Sequence, residues 1–332
     1  MAGLRTDEIS LYRKDMYKAE REGAKLKPAM RDKIFNIVSG KEVNGAGNKA
    51  TQLLGAPALT RHLSEGQNIA FTSPKEGWTT YVKYYTYSAG MTFSFEAIQD
   101  TVKLGNKIKD LSKTWGRELE VAKESLAVRG FNEGGNLLGD TLAFDGSYIG
   151  EADPSGALLY DSKPLFNLTG NTRTTKGGGT YYNSVASLSV NAANFETVYN
   201  LMTDTNAHDE EDRNVDNEVD SVLSRPGANH FAFQRILNSD NLAGGQLNDK
   251  NPYVGLIKNI FKWSYLESAE AAWFVGKAKH EAWEFHERMA PLMKFFENND
   301  NNGYKASTMS RFGVWFKAGA WRAWGRGGGT SA

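Results

Sequence analysis

The chain has 332 residues, enough to bury one large core or two smaller ones, and its 39 lysines and arginines balance 39 aspartates and glutamates. A net charge of zero argues against a dedicated nucleic-acid-binding protein, which normally carries a basic surface and a high isoelectric point. The absence of cysteine excludes disulfides, thiolate zinc sites and cysteine nucleophiles. Because no apolar run approaches the roughly 18 residues of a membrane helix, and no signal segment is evident, we expect no membrane association.

The N-terminal 40 residues are dense in charge, and their few apolar residues are poorly periodic. This pattern predicts an arm with helical stretches that cannot bury a core by itself. Residues 40–56 contain four glycines and are predicted to form a loop.

Apolar and polar residues then alternate on both sides of a turn-forming segment, Ser73-Pro74-Lys75-Glu76-Gly77. The alternating stretches, residues 69–71 and 78–84, predict a long β-hairpin. Because an isolated two-stranded hairpin is marginally stable in water, this one needs another surface to lie on.

The strongest helical pattern follows the hairpin. Apolar residues recur mostly every three or four positions from Ile98 to Leu126, with Ser94 as a candidate N-cap and Gly130 at the expected end. A helix of about 35 residues would be roughly 50 Å long, which is more than a typical globular helix. We therefore expect a strut with one apolar stripe packed on a sheet or on another helix.

The remaining chain indicates a mixed fold. Residues 130–190 predict loops and short strands, whereas 192–203 and 228–240 have the periodicity of amphipathic helices. Strand-like stretches occupy residues 253–260, 271–276, 284–296 and 311–324.

Residues 204–220 contain eight acidic residues and one arginine. A metal-binding loop is one interpretation, but the segment lacks the central glycine and the ligand spacing of an EF-hand. The favoured interpretation is a solvated acidic loop.

The C-terminal segment interleaves aromatic and cationic residues, and it also has two interpretations. Such a pattern could stack on single-stranded nucleic acid, or it could be a strand with one buried face. The strand is favoured because the neutral chain offers no electrostatic support for nucleic-acid binding. The residues concerned are Trp315, Lys317, Trp321, Arg322, Trp324 and Arg326.

The sequence contains no recognisable catalytic or cofactor-binding motif. Gly40 and Gly45 have the spacing of a phosphate-binding loop, but Ala46 stands where that loop needs lysine. His280 and His286 are six residues apart, which does not match a zinc-binding helix motif. We predict no catalytic residue, no cofactor and no metal, and we expect a protein that is not an enzyme.

Several short motifs occur in an order that resembles one protein family. Lys163-Pro164-Leu165-Phe166 is similar to part of a family motif, although the His-Pro that follows there is missing here. The other motifs are Met91–Asp100 (MTFSFEAIQD), Phe233–Ser239 (FQRILNS), Asn248–Pro252 (NDKNP) and Ala272–Val275 (AWFV). Together they resemble the major capsid proteins of tailed bacteriophages of the Hong Kong 97 type, specifically the branch of the Mu-like major head subunit.

The resemblance implies an α+β fold with a defined division of the chain. Residues 1–60 would be the N-terminal arm, 61–94 an extended β-hairpin loop, and 326–332 a Gly-rich tail. The implied peripheral domain comprises 95–203 and 276–325, with a spine helix at 95–130, and the implied axial domain comprises 204–275.

The implied function is structural. Such subunits assemble into hexamers and pentamers that form an icosahedral shell around packaged double-stranded DNA, without sequence-specific binding. The resemblance places the protein in the virion, assembled in the host cytoplasm, with portal, scaffold and decoration proteins as further partners. On the hairpin, Lys75, Trp78, Val82 and Tyr84 are expected to contact a neighbouring subunit.

Three alternatives to a phage capsid stay open at this point, one of which is an unrecognised hydrolase that should be active as a monomer. An encapsulin-type bacterial compartment shell would keep the fold and hold cargo enzymes. A carbohydrate-binding or tail-associated phage β-protein would fit the Gly, Asn and Tyr content, and it would lack the long helix.

Overall fold

The computed structural model describes residues 14–25, 29–40, 43, 47–54, 75–93, 104–132, 134, 161, 163–241, 250–267, 272–298 and 303–328. These residues fall into two compact units, each built from separate parts of the chain. The first unit draws on Met1–Gly47, Lys83–Val128 and Phe285–Val314, and the second on Asn48–Val82, Arg129–Glu284 and Trp315–Ala332.

Helices and strands alternate irregularly along the chain. The helices are α1 (14–24), α2 (Arg31–Ile34), α3 (Leu104–Asn132), α4 (Ala192–Asn200), which continues as a π-helical turn over Leu201–Thr205, and α5 (Ala228–Asn238). The strands are β1 (Asn36–Ser39), β2 (Gly47–Leu54), β3 (Lys75–Lys83), β4 (Tyr85–Phe93), β5 (Arg173–Thr174), β6 (Thr180–Tyr181), β7 (Ser184–Val185), β8 (Ser221–Ser224), β9 (Asn259–Lys262), β10 (Trp273–Gly276), β11 (Trp283–Asn298), β12 (Gly303–Phe316) and β13 (Trp324–Gly327).

The first unit is built on a four-stranded sheet with strand order β1-β11-β12-β4. Strands β12 and β4 are antiparallel, with Tyr304 opposite Phe93 and Phe312 opposite Tyr85. Alternate residues of β12 are buried from Ala306 to Phe312, as expected for a sheet that packs one face on a core, and residues 312–316 are all buried. That core contains Met293 and Ala306 from the sheet, Ile108 from α3 and Met16 from α1.

Helices α1 and α3 cross at very close range in this unit. A Cβ atom on Gly23 would lie 2.0 Å from the carbonyl oxygen of Lys113, so only glycine fits there. Next to the crossing, the carboxylate of Glu20 is buried and accepts a hydrogen bond of 2.6 Å from the Thr308 hydroxyl. Burial raises the pKa of this carboxyl, although the Thr308 hydrogen bond and the positive charges of Arg21 and Lys123 lower it.

Charged side chains of α2 and α3 form a buried ion-pair cluster in the first unit. The Arg31 guanidinium, in a side chain only 9% exposed, lies 2.7 Å from Glu120 Oε2 and 3.4 Å from Glu124 Oε1. The Lys123 ammonium pairs with Glu120 at 3.1 Å and also with Glu287 of β11. Each buried charge therefore has a partner of opposite sign, as burial requires.

The second unit contains a five-stranded sheet with strand order β7-β13-β10-β8-β9. Strand β10 is antiparallel to both β13 and β8, whereas β7 and β9 run parallel to their neighbours. Helices α4 and α5 contribute Phe195, Val198 and Phe233 to a core that also contains Trp273 and Val275 of β10.

The residue between Trp273 and Val275 in β10 packs against a different set of side chains. Phe274 contacts Phe131, the last aromatic residue of α3, with ring centroids 4.9 Å apart. Phe131 also packs against Phe166, Trp263, Trp283 and Trp324. Both faces of the strand are thus covered, which explains why β10 is apolar without alternation.

The predicted helices are confirmed where the structure describes them. Helix α3 covers the predicted spine helix from Leu104 onward and continues two residues beyond Gly130, whereas residues 95–103 and the candidate N-cap Ser94 lie outside the described residues. Helices α4 and α5 occupy the amphipathic segments predicted at 192–203 and 228–240.

The predicted hairpin is wrong in one detail. Residues 75–77, predicted as part of its turn, are the first residues of β3, and the described partner of β3 is β2, Gly47–Leu54. That partner lies in a segment that was predicted to be a loop from its glycines. Its pair of adjacent leucines, Leu53 and Leu54, gives no alternation that would predict a strand. The predicted first strand, 69–71, lies outside the described residues.

The prediction of a Gly-rich tail from residue 326 is also wrong at its start. Arg326 and Gly327 complete the buried strand β13. A Cβ atom on Gly327 would lie 2.2 Å from Cζ2 of Trp273, and one on Gly325 would lie 2.8 Å from the Met202 side chain. Glycine here makes room for large core side chains. Residues 329–332 lie outside the described residues.

The two units divide the chain at other residues than the predicted domains. Residues 129–203, assigned to a peripheral domain by the resemblance, belong to the same compact unit as 204–275, the predicted axial domain. The peripheral and axial labels stay predictions.

Candidate assembly surface

Strands β2 and β3 form a two-stranded sheet, here called the β2–β3 ribbon. The hydroxyl oxygens of Thr51 and Thr79 lie 3.0 Å apart across the ribbon. Thr80 and Val82 of β3 are buried, whereas Lys75 and Glu76 are exposed. The ribbon is thus anchored at its C-terminal end and exposed where β3 begins.

Trp78 anchors the ribbon to the acidic segment of the second unit. Its indole Nε1 donates a hydrogen bond of 3.3 Å to Glu210 Oε2, and the Lys176 ammonium lies 3.8 Å from its ring centroid. Glu210 is buried and also accepts a hydrogen bond of 2.9 Å from Arg322 Nη1. The ammonium of Lys75 reaches Glu211 at 4.0 Å, in a side chain that is 78% exposed.

Val82 and Tyr84 occupy different surroundings from Lys75 and Trp78. Both are buried, and the Tyr84 side chain is in the first unit, where its hydroxyl forms a 2.8 Å hydrogen bond with His286 Nδ1. Of the four residues predicted to contact a neighbour, Lys75 is the most exposed. The structure does not gather the four into one cluster, and their contact with another subunit stays a prediction.

The acidic segment 204–220 is an ordered loop whose carboxylates accept hydrogen bonds from the chain itself. Asp209 accepts from the backbone N–H groups of Glu211 and Arg213 at 2.8 and 2.9 Å. Asp212 accepts from the Thr175 hydroxyl at 2.5 Å and from the Gly179 N–H at 2.7 Å. No local sequence pattern predicts the bonds to Asp212, because their donors, Thr175 and Gly179, lie 37 and 33 positions earlier in the β5–β6 hairpin.

These bonds shift the proton affinity of Asp212. Desolvation by burial raises the pKa of its carboxyl, but hydrogen bonds from Thr175, Gly179 and Tyr181 outweigh burial and hold the pKa below its ordinary value. The carboxylate is therefore ionised, and the three hydrogen bonds that it accepts stabilise the loop. No group of three or more potential metal ligands occurs among the residues that the structure describes.

Four of the six C-terminal aromatic and basic residues are buried, as the strand interpretation predicts, but the predicted strand 311–324 is interrupted by a 3-10 turn at Ala320–Arg322. Trp321 and Trp324 are fully buried, and Trp315 is nearly so. The Arg322 guanidinium carbon lies 4.4 Å from the Trp321 ring centroid. These aromatic rings are not available to stack on nucleic-acid bases.

The described histidines are separate from one another, and His62 lies outside the described residues. His230 is buried on α5, with its Nε2 3.3 Å from Gln234 Nε2. His280 Nδ1 accepts a hydrogen bond of 3.1 Å from the Ala282 N–H, in the turn that precedes β11. No helix in the described part of the chain is both long and apolar enough to cross a membrane.

No protein-family model and no curated protein sequence matches the chain. Solved structures do match it. The capsid of Cyanophage P-SCSP1u matches with a TM-score of 0.51 and 11% identity, covering 92% of this chain and 89% of the phage chain. The mature capsid of bacteriophage PhiM1 matches with the same TM-score, identity and coverage.

The chain has the Hong Kong 97-type capsid fold. A virus-like particle from Pyrococcus furiosus also matches over 95% of this chain and 98% of its own, with a TM-score of 0.49 and 8% identity. The two phage capsids confirm the predicted fold class, and they confirm the resemblance to tailed-phage capsid proteins at the level of the fold. The narrower likeness to the Mu-like branch stays a prediction.

Two of the motifs that carried the resemblance lie in a strand and a helix of the second unit. Ala272–Val275 overlaps β10, the middle strand of the five-stranded sheet, and Phe233–Ser239 covers the second half of α5. Sequence reasoning missed the Glu210–Arg322–Trp78 cluster and the Arg31 ion pairs. Apart from the pair of the adjacent residues Arg31 and Asp32, the partners lie at least 89 positions apart in the chain, so no local pattern could reveal them.

Proposed function

We propose that this chain is the major capsid subunit of a tailed bacteriophage. In this role it assembles into hexamers and pentamers that form an icosahedral shell around packaged double-stranded DNA. The observation that carries the proposal is the match of 92% of the chain to the fold of solved phage capsids. The role is structural, and it places the protein in the virion.

The β2–β3 ribbon supports the proposal on physical grounds. Among the described residues the ribbon has two strands and pairs with no third, and two-stranded ribbons are marginally stable alone. A neighbouring copy would supply the missing surface. Repeated head-to-tail contacts of this kind close into rings, as hexamers and pentamers require.

Within the ribbon, we propose that Lys75 and Trp78 lie nearest to a neighbouring subunit. Lys75 projects its ammonium group into solvent, apart from its long contact with Glu211. Trp78 is half-buried and fixed by Glu210 and Lys176, so it presents a rigid aromatic edge. Val82 and Tyr84 are buried within the chain, so they would act by holding the base of the ribbon.

Self-assembly is tested by negative-stain electron microscopy and sedimentation velocity of the purified full-length protein. We expect closed shells together with hexamers or pentamers. A monomer that stays compact and unassembled at every concentration, with or without a scaffold protein, would contradict the proposal. Trp78→Ala is expected to lower the shell yield, because it removes the aromatic edge and leaves Glu210 with one partner fewer.

The contents of the particle separate a phage head from an encapsulin-type compartment. Nuclease-resistant double-stranded DNA inside particles isolated from infected cells supports the phage head, whereas co-purified cargo enzymes support the compartment. A second alternative, a tail-associated β-protein without a long helix, is contradicted by the 29 residues of α3. Portal, scaffold and decoration proteins remain proposed partners.

A further inference from the structure

Helix α1 presents a stripe of basic residues to solvent, here called the basic stripe: Lys14, Lys18, Arg21 and Lys25. All four are exposed, and their spacing of four, three and four residues places them on one face of the helix. The stripe is roughly 16 Å long at 1.5 Å per residue. Together with Tyr17 and Glu22, these residues line an open groove of about 450 Å³.

The opposite face of α1 is already occupied within the chain. Met16 is fully buried in the core with Ile108 and Met293, and Gly23 lies against the backbone of α3. The helix therefore cannot turn its apolar face toward another partner. The exposed side of α1, which carries the basic stripe and Glu22, remains available for binding.

The charge of the basic stripe is not neutralised by the described part of the chain. None of its four cations forms an ion pair there, and the adjacent carboxylate of Asp15 is taken by Lys109 at 2.8 Å. Among the described residues that line the groove, Glu22 is the acidic one. Four cations against one carboxylate give this face of α1 a net positive charge, which points to a polyanionic partner.

We propose that the basic stripe of α1 binds the phosphate backbone of the DNA held inside the shell. The inference rests on the proposed capsid function and adds to it the surface that contacts the DNA. Contacts with phosphates alone are independent of sequence, as a container for a whole genome requires. Repetition over many subunits strengthens a contact that is weak in one copy.

Other polyanionic partners fit the stripe less well. In the acidic loop that a second copy could present, three carboxylates are already engaged: Asp209 and Asp212 accept bonds from their own chain, and Glu210 pairs with Arg322. An anionic membrane would require an apolar face beside the stripe, and that face of α1 is buried. At the C-terminus, Trp315, Trp321, Trp324 and Arg326 are buried and cannot offer a second DNA-binding surface.

The test compares the full-length protein with a variant in which the four cations become glutamine: Lys14→Gln, Lys18→Gln, Arg21→Gln and Lys25→Gln. The matched control replaces exposed cations elsewhere: Arg235→Gln, Lys250→Gln, Lys262→Gln and Lys294→Gln. Fluorescence anisotropy measures binding of dissociated subunits to a labelled DNA duplex of about 30 base pairs as KCl is varied. For four phosphate contacts, the slope of log K against log [KCl] is expected to be shallower by roughly 3.6 in the stripe variant.

The control variant is expected to keep the wild-type affinity and slope. Equal slopes in wild type and stripe variant would overturn the inference, and so would equal losses in both variants. Binding to vesicles of anionic lipid, with no binding to the duplex, would assign the stripe to a membrane instead. Circular dichroism checks folding, and Lys18→Gln with Arg21→Gln serves if the fourfold variant unfolds, with half the change in slope expected.

Electron microscopy of the same samples separates this inference from the proposed function. Shells that assemble normally while duplex binding is independent of the stripe would refute only the DNA contact. A protein that binds the duplex through the stripe and never assembles would refute the capsid role.

Discussion

A Cβ atom on Gly116 would lie 2.0 Å from the carbonyl oxygen of Glu20, at the point where α3 crosses α1. Gly23 has the same relationship with the carbonyl oxygen of Lys113. Two glycines that face each other's helix allow the backbones to touch, and they fix where the N-terminal helix lies along the longest helix of the chain. Neither position could hold any other residue without moving a helix.

Gly116→Ala is expected to destabilise the protein by about 1–3 kcal/mol, even though alanine favours a helix more than glycine does. The steric overlap with Glu20 outweighs the gain in helix propensity. Urea unfolding of the full-length chain measures the effect. Gly170→Ala is the matched control, because open space surrounds that position, and equal midpoints for both variants would contradict the prediction.

Arg31→Ala is expected to cost roughly 3 kcal/mol, because breaking a buried ion pair removes a cation from carboxylates that stay buried. Glu124 would lose its ion pair with Arg31, whereas Glu120 would keep Lys123. Arg213→Ala removes a pair with Asp209 in a side chain that is 44% exposed, and it should cost no more than about 1 kcal/mol. Thermal unfolding compares the two variants, and a smaller loss for Arg31→Ala would refute the prediction.

Stability is expected to fall as the pH drops from about 6.5 to 4 because of His280. The pKa of this imidazole is lowered from its ordinary 6.5 to about 4, chiefly by burial; Glu281 opposes the shift, whereas Lys277 and Arg322 contribute to it. The unfolded chain therefore takes up a proton in this window, whereas the folded chain does not. His280→Asn keeps an acceptor for the Ala282 N–H, so its urea midpoint should depend less on pH, and parallel curves would count against the prediction.

Asp212→Asn is expected to destabilise the second unit at neutral pH by about 1–3 kcal/mol, since an amide nitrogen would face a hydrogen-bond donor. The pKa of this carboxyl is depressed in the folded chain, so its stabilising effect is complete above the ordinary value of 3.8 and is lost as the pH falls below it. The variant should thus lose less stability on acidification below about pH 4. Asp216→Asn, at an exposed position of the same loop, is the control and should behave as wild type.

Elements with a strong local period were predictable. Helices α3, α4 and α5 follow the three-and-four spacing of their apolar residues, and β11 follows from its apolar and aromatic content. The order of short motifs was sufficient to indicate the capsid fold that the solved structures then matched. Each of these inferences used residues close together in the chain.

The candidate surfaces were less predictable. The sequence marked Lys75 and Trp78, but it did not show that Trp78 is held by Glu210, 132 positions away. It marked the charge of the N-terminal arm, but not which side of α1 would be buried. A basic stripe becomes apparent only when the apolar residues of the helix have found their core.

The sequence by itself determined the long helix, the two shorter amphipathic helices and the order of the capsid motifs, because periodicity and motif order are properties of neighbouring residues. Only the tertiary structure decided that 47–54 is a strand and that Gly325 and Gly327 make room for Met202 and Trp273. It also decided that Asp212 of the acidic loop accepts hydrogen bonds from Thr175 and Gly179. The reason is physical: strand pairing, close backbone approach and buried charge each depend on a partner that lies far away in the chain.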